Sequence, residues 1–223
     1  MLHYNTAIEY TQLKFSTSKE VMGFIQQAHD KQYLGVCILE QNLLLARKFP
    51  ELKRITVAGF PNPNFYDLIA NNPRYWLALG NYNQEEKDRV IRMGEEKLID
   101  ELDVVFPFAW YAQKEKELIK DFLEELVVCV KVPVKVIIEL GTLLTKEENI
   151  REVCKILEDA GVTFVKTNTG LIKQDFFSLS EYVKKLKNLT DLPIKASGGI
   201  KTPQQVEVLL QLGVKRIGTS TLI

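Results

Sequence analysis

No run of about 18 apolar residues occurs in this chain, so the sequence predicts no membrane-spanning helix. It also lacks a basic run, and lysine plus arginine equal aspartate plus glutamate at 29 each. A protein whose main partner is nucleic acid carries a clustered basic surface, and this composition predicts none. A phosphorylated ligand would have to be met by a local site rather than by a global field. Histidine is nearly absent. His3 and His29 are the only two, and two residues do not make a metal cluster. The cysteines are few and odd in number, Cys37, Cys129 and Cys154, with no CxxC spacing. That argues against a disulfide framework or a structural zinc, and it suits a reducing compartment. The opening MLHYNTAIEY has no basic stretch leading into an apolar one, so no secretion signal is expected and the cytoplasm is the expected location.

What the chain does have is an alternation. Short apolar runs rich in β-branched residues recur eight times, at 6–10, 34–39, 54–60, 102–106, 134–140, 162–166, 192–196 and 214–219. Continuous runs of this length suit strands of a parallel sheet buried on both faces. Helical patterns lie between most of them. In 145–160, Thr145 and Glu148 form a capping-box pattern and Ile150, Val153, Cys154 and Leu157 share one face. In 202–212, Thr202, Pro203 and Gln205 mark a helix start. Segments 18–31, 84–99, 112–128 and 178–188 read as further helices, and 41–48 as a short one. Eight such units within 223 residues predict a single-domain (β/α)8 TIM barrel over 1–223. An open doubly wound sheet is the alternative, but no Gly-rich dinucleotide fingerprint follows an early strand. Segment 62–83 breaks the rhythm and predicts an extended loop with a short helix.

In a barrel the chemistry gathers at the C-terminal strand ends. The sixth candidate strand ends in Lys166, within FVKTNTG. The seventh carries Lys195 and then Ser197, Gly198 and Gly199. The fourth holds Asp103 inside ELDVVFP, and the first carries Glu9 and Thr11. A lysine closing a buried strand is ordinarily a solvated strand end. Closure of a barrel would instead bring two lysines and a carboxylate into one pocket, which is costly without a purpose. Schiff-base catalysis supplies one. A free lysine titrates near pKa ~10.4, and burial plus a neighbouring cation lower that value. One lysine would then be the nucleophile and the other would lower its pKa, with a nearby carboxylate moving protons. Gly198 and Gly199 allow close backbone approach to an anion. Thr219 and Ser220 would open a short helix whose N-terminus favours one.

ELDVVFP, FVKTNTG, IKASGGIKT and RIGTS, in this order, resemble the deoxyribose-phosphate aldolases. IEYTQLK at 8–14, GVCI at 35–38, TVAGFP at 56–61 and KVIIELGTLLTKEE at 135–148 agree, so the resemblance spans nearly the whole chain. It implies a (β/α)8 barrel and a class I aldolase needing no metal or other cofactor. Its substrate would be 2-deoxyribose 5-phosphate, cleaved reversibly to acetaldehyde and glyceraldehyde 3-phosphate. By position, Lys166 would form the Schiff base, Lys195 would lower its pKa and Asp103 would relay protons. Gly170, Gly198, Gly199, Thr219 and Ser220 would hold the phosphate, Thr169 would contact the substrate, and Thr11 and Cys37 would line the pocket.

Three features depart from the family pattern. Glu9-Tyr10 stands where Asp-His is usual, which puts Glu9 forward as a site carboxylate of altered reach. Segment 62–83 is longer than the usual link. The sequence ends at Ile223, which predicts a shortened or missing final helix and a homodimer or higher homo-oligomer. Two other readings stand beside this one: a Schiff-base aldolase with a different sugar or aldehyde, and a non-catalytic phosphosugar-binding paralogue.

Overall fold

The computed structural model describes residues 4–221. Eight strands run parallel and close in chain order, the eighth pairing with the first. They are β1 (Ile8–Gln12), β2 (Gly35–Ile38), β3 (Lys53–Ala58), β4 (Glu101–Val105), β5 (Val134–Ile137), β6 (Phe164–Lys166), β7 (Ile194–Ser197) and β8 (Arg216–Thr219). All eight coincide with the apolar runs read from the sequence, each shifted or trimmed by a residue or more at its ends. The predicted TIM barrel is therefore the observed fold.

Around the strands lie α1 (Ser18–Asp30), α2 (Leu43–Ala46), α3 (Tyr66–Asn71), α4 (Gln84–Glu95), α5 (Phe108–Ala112), α6 (Lys116–Val130), α7 (Glu147–Asp159), α8 (Phe176–Leu186) and α9 (Pro203–Gln211). None of these helices is long and apolar enough to cross a membrane among the described residues. The main core is a sleeve between barrel and helices. Val36, Ile38, Leu102, Val104, Val136 and Val165 from the strands meet Ile25, Leu123, Val153, Leu157, Val183 and Leu209 from the helices. A smaller apolar cluster of Leu13, Cys37, Ile55 and Val57 stands apart from it. Strand alternation turns Cys37, Ile55 and Val57 toward the barrel axis, on the β2–β3 side.

The helix starts follow local chemistry. Thr202 accepts from the backbone N–H of Gln205, whose side chain in turn accepts from the backbone N–H of Thr202, with Pro203 in the first turn. Thr17 and Glu20 do the same for α1. The box expected at Thr145 and Glu148 does not form. Helix α7 starts later, with Lys146 at the cap and no side-chain bond to it. Two acidic residues, Glu147 and Glu148, occupy its first turn instead, where the helix dipole favours them. The helix expected over 112–128 starts later, as α6 at Lys116, after the short α5 ends at Ala112 and Lys114 takes a left-handed φ of 64°.

Segment 62–83 folds into a 3-10 turn at Pro63–Phe65, then α3, then a second 3-10 turn at Pro73–Ala78. Each turn is opened by an Asn-Pro pair. Asn62 and Asn72 accept from the N–H two residues on, at Asn64 and Arg74. Two tyrosines anchor the segment. The Tyr66 hydroxyl donates to the carbonyl of Leu13 beyond β1. The buried Tyr82 hydroxyl lies 3.1 Å from the Ala58 carbonyl and 2.5 Å from that of Val105, closing the segment onto β3 and β4. The segment is therefore packed structure that also reaches the strand-end face of the barrel. His3, Leu222 and Ile223 lie outside the described residues, as does most of the shortened final turn expected from the sequence.

Replacing Thr202 by Ala removes the side-chain half of the α9 capping box, the bond its hydroxyl accepts from the Gln205 N–H. The expected cost is about 1 kcal/mol of unfolding free energy, read as a lower urea midpoint with an unchanged slope.

Candidate active site

The inner wall of the barrel is charged on one side. Alternation turns Glu9, Glu101, Asp103, Lys135, Lys166 and Lys195 inward, and all six are buried. Neighbouring strands hold them in register, with Asp103 beside Lys135 and Lys166 beside Lys195. Part of the space for Lys195 comes from Gly218. Glu9 is flanked by Gly35 on β2 and Gly218 on β8. A Cβ at Gly218 would sit 3.3 Å from Cε of Lys195 and 3.0 Å from Cβ of Ser197.

Asp103 is the meeting point. Its Oδ2 accepts from Lys166 at 2.7 Å and from Lys195 at 2.6 Å. Its Oδ1 accepts from Lys135 at 3.1 Å. Lys195 also pairs with Glu9. Lys135 pairs with Glu9 at 3.1 Å and with Glu101 at 2.7 Å. Burial alone would push the Asp103 carboxyl up, but Lys135, Lys166 and Lys195 together hold it well below the usual carboxylate range. Burial pulls the Lys166 ammonium down, and Asp103, Cys37 and Glu9 together outweigh this, so Lys166 lies above its usual value. This corrects the expectation that Lys195 depresses it. The neighbouring ammonium is there, but the same carboxylate sits between the two, and the ion pair wins.

Above the cluster opens a pocket of about 540 Å³ at the C-terminal ends of the strands. Lys166 reaches it from the floor, with Thr169, Gly170, Ser197, Gly198, Gly199, Thr219 and Ser220 on one side and Thr11 and Gln12 on another. Tyr10, Phe60 and Tyr66 form an aromatic wall. Gly170, Gly198 and Gly199 all have left-handed φ, at 83°, 96° and 71°, a conformation that side chains rarely tolerate. A Cβ at Gly199 would also meet the Gln174 carbonyl at 2.6 Å. These loops therefore present bare backbone to the pocket. Lys14 and Lys201 stand at its edge and supply positive charge.

Several sequence expectations need correction. Thr219 does not open a helix among the described residues. It closes β8, and its hydroxyl donates to the Ile200 carbonyl at 2.8 Å and accepts from the Thr221 N–H. Cys37 does not line the pocket. It lies fully buried in the small apolar cluster, its thiol pushed up to about 11 by burial, with Asp103 adding to the effect. Glu9 does not line the pocket either, because its carboxylate is buried against Lys195 and Lys135.

Two residues escaped the sequence reading. Lys135 has no exposed surface and makes three ion pairs, and the signal was a lone lysine inside the apolar run VKVII. Glu139, just past β5, is buried at a φ of 45°. Its carboxylate accepts from the Thr169 N–H at 2.9 Å, tying β5 to the TNTG loop, and burial raises its pKa.

Comparison with known proteins adds the following. The dihydrouridine synthase family model matches residues 112–217, less than half of the chain. The curated deoxyribose-phosphate aldolase of Treponema denticola is 31% identical, the match covering 99% of this chain and 96% of that protein. Among solved structures, an aldolase called QR15 superposes with a TM-score of 0.83 at 24% identity, covering 99% of this chain and 92% of the other. The deoxyribose phosphate aldolase from Aeropyrum pernix, described as a tetramer, superposes at 0.73 and 24% identity over 98% and 87%.

Asp103 and Glu101 both lie below their ordinary values in the folded protein, their burial outweighed by lysines. Such groups stabilise the fold above their unfolded pKa near ~4, and the contribution is lost as pH falls through the lower folded value. Urea unfolding is expected to give a free energy that declines steadily below pH ~4. A flat profile between pH 5 and 3 would contradict the ionised cluster.

Proposed function

The chain belongs to the deoxyribose-phosphate aldolase family, and on that premise we propose that Lys166 is the Schiff-base nucleophile of a reversible cleavage of 2-deoxyribose 5-phosphate to acetaldehyde and glyceraldehyde 3-phosphate. The enzyme is an aldehyde lyase. The observation that carries the assignment is one carboxylate oxygen, Asp103 Oδ2, shared by Lys166 at 2.7 Å and Lys195 at 2.6 Å beneath the pocket.

The chemistry follows from charge. An ammonium and an aldehyde condense to an iminium and water, so the site carries one positive charge before and after. Asp103 therefore stabilises the iminium by the same interaction that holds the resting ammonium. The attacking form is the neutral amine, reached when Lys166 gives its proton to a neighbouring base or to water. Cleavage of the C2–C3 bond sends its electron pair toward the iminium nitrogen, giving a neutral enamine. The C3 hydroxyl proton leaves as the aldehyde forms. One proton is then needed at the enamine carbon, and Asp103 with Lys195 is placed to hold it between the two steps. Water hydrolyses the second iminium and releases acetaldehyde.

The bare backbone at Gly170, Gly198 and Gly199 suits the phosphate end of the substrate, with Thr169, Ser220, Lys14 and Lys201 beside it. Thr11 is assigned to the sugar, together with Gln12, since Glu9 is occupied below. Thr219 is assigned a loop-fixing role beside the phosphate. The three cysteines are free thiols, which suits a reducing compartment, and the proposal places the enzyme in the cytoplasm. By analogy with the tetramer from Aeropyrum pernix, it works as a homo-oligomer.

Borohydride trapping with 2-deoxyribose 5-phosphate, followed by peptide mapping, is expected to leave a reduced adduct on Lys166. Lys166→Leu is expected to lose more than about 10³-fold in kcat with its circular dichroism unchanged. An active Lys166→Leu enzyme would overturn the assignment. Gly218→Ala tests Lys195 without deleting it. The new methyl, 3.3 Å from Cε of Lys195 and 3.0 Å from Cβ of Ser197, should crowd both side chains and lower kcat about tenfold while leaving KM within about twofold. Unaltered kcat would remove Lys195 from the chemistry.

A further inference from the structure

Lys135 has no ordinary reason to be where it is. The interior of a small barrel is normally filled by Val, Ile and Leu, and a buried ion pair adds little stability over an apolar filling. Lys135 is also absent from the pocket lining, so it does not touch the substrate. Yet it lies beside Asp103 in the β4–β5 register, and its single ammonium reaches three carboxylates, Asp103 at 3.1 Å, Glu9 at 3.1 Å and Glu101 at 2.7 Å. From Glu101 the chain of charges runs on to Lys53, and from Glu9 to Arg216 at 3.9 Å. Lys53 and Arg216 are the first residues of β3 and β8 and are partly exposed. They therefore stand at the face opposite the pocket.

We propose that Lys135 is a positioning residue for the reaction: it clamps Asp103 Oδ1 so that Oδ2 is presented to both Lys166 and Lys195, and it neutralises Glu9 and Glu101 beneath the nucleophile. This rests on the assignment of Lys166 as the Schiff-base lysine. Lys166 is faced by Asp103 from β4, Glu9 from β1 and Cys37 from β2. Glu139 faces it from beyond β5 and Lys195 from β7, through the shared oxygen. In that company, Lys135 is the one cation that takes no part in bond making. Lys166 becomes neutral as amine and enamine, and Lys195 shares the travelling proton, whereas Lys135 stays charged among three carboxylates. Without it the excess negative charge falls on Lys166, which then holds its proton to higher pH.

The experiment measures kcat and KM across pH for the wild type, Lys135→Gln, Lys135→Arg, Glu101→Gln and the double variant Glu101→Gln/Lys135→Gln, with borohydride trapping on each. In Lys135→Gln the acid limb of kcat is expected to move up by about one pH unit, with kcat near neutrality down about tenfold and KM within about twofold. Lys135→Arg and the double variant are expected to recover the limb, and Glu101→Gln alone to move it down. A limb unmoved in Lys135→Gln, or one that the double variant does not restore, would overturn the proposal. If Lys135→Gln does not fold, Glu101→Gln decides, because an unmoved limb there overturns it equally. Failure of wild-type trapping on Lys166 would refute the Schiff-base assignment itself and is read separately.

Discussion

The Asp103 carboxylate is the constraint on which the rest of the site depends. Three lysines bond to its two oxygens, one from each of β5, β6 and β7. None of those ammonium groups would be tolerable in the barrel alone, since a buried unpaired charge costs several kcal/mol. Asp103 in turn would be driven to the neutral acid by burial if the lysines were absent. Each charge makes the others possible, and Glu9 and Glu101 complete the balance. The barrel supplies what the cluster needs: a rigid parallel register that sets each residue's height, and a glycine at position 218 that leaves room beside Lys195 and Ser197.

That resting balance explains why burial does not by itself make Lys166 a free amine. A carboxylate that favours the ammonium also favours the iminium, because the two carry the same charge in nearly the same place. On the proposed Schiff-base reading the site suits the cationic intermediate, and the energetic burden falls on the brief neutral stage between them. A cation that takes no part in the chemistry, as Lys135 is argued to be, limits that burden from a position the substrate never reaches.

The pocket above separates its tasks by material. One wall is backbone, with glycines in conformations that side chains resist, and it suits an anion. The other is aromatic, closed by Tyr66 from the long segment after β3, whose hydroxyl is tied to the Leu13 carbonyl. The segment's length therefore serves the mouth of the pocket as well as the outer core, where Tyr82 is sealed against β3 and β4.

Much of this was legible in the chain. Eight β-branched runs with helical patterns between them, the caps at Thr202 and Gln205, and the strand-end positions of Lys166, Lys195 and Gly198-Gly199 are local features, and local features are written in sequence order. The failures were of another kind. Thr145 looked like a cap because its spacing to Glu148 was right, but helix α7 starts one residue later, with Lys146 at the cap. Glu9 looked like a pocket residue because it shares a strand with Thr11, and Lys135 looked like nothing at all. The direction of the Lys166 shift was misjudged because a neighbouring cation was counted without the carboxylate held between the two. The sequence by itself determined which residues lie on strands and which face they take, since period and propensity act over a few residues. Only the tertiary structure decided which charges meet, because Glu9, Asp103, Lys135, Lys166 and Lys195 come together across the closure of the barrel, and pairing distances in a low-dielectric interior govern which of them keeps its proton.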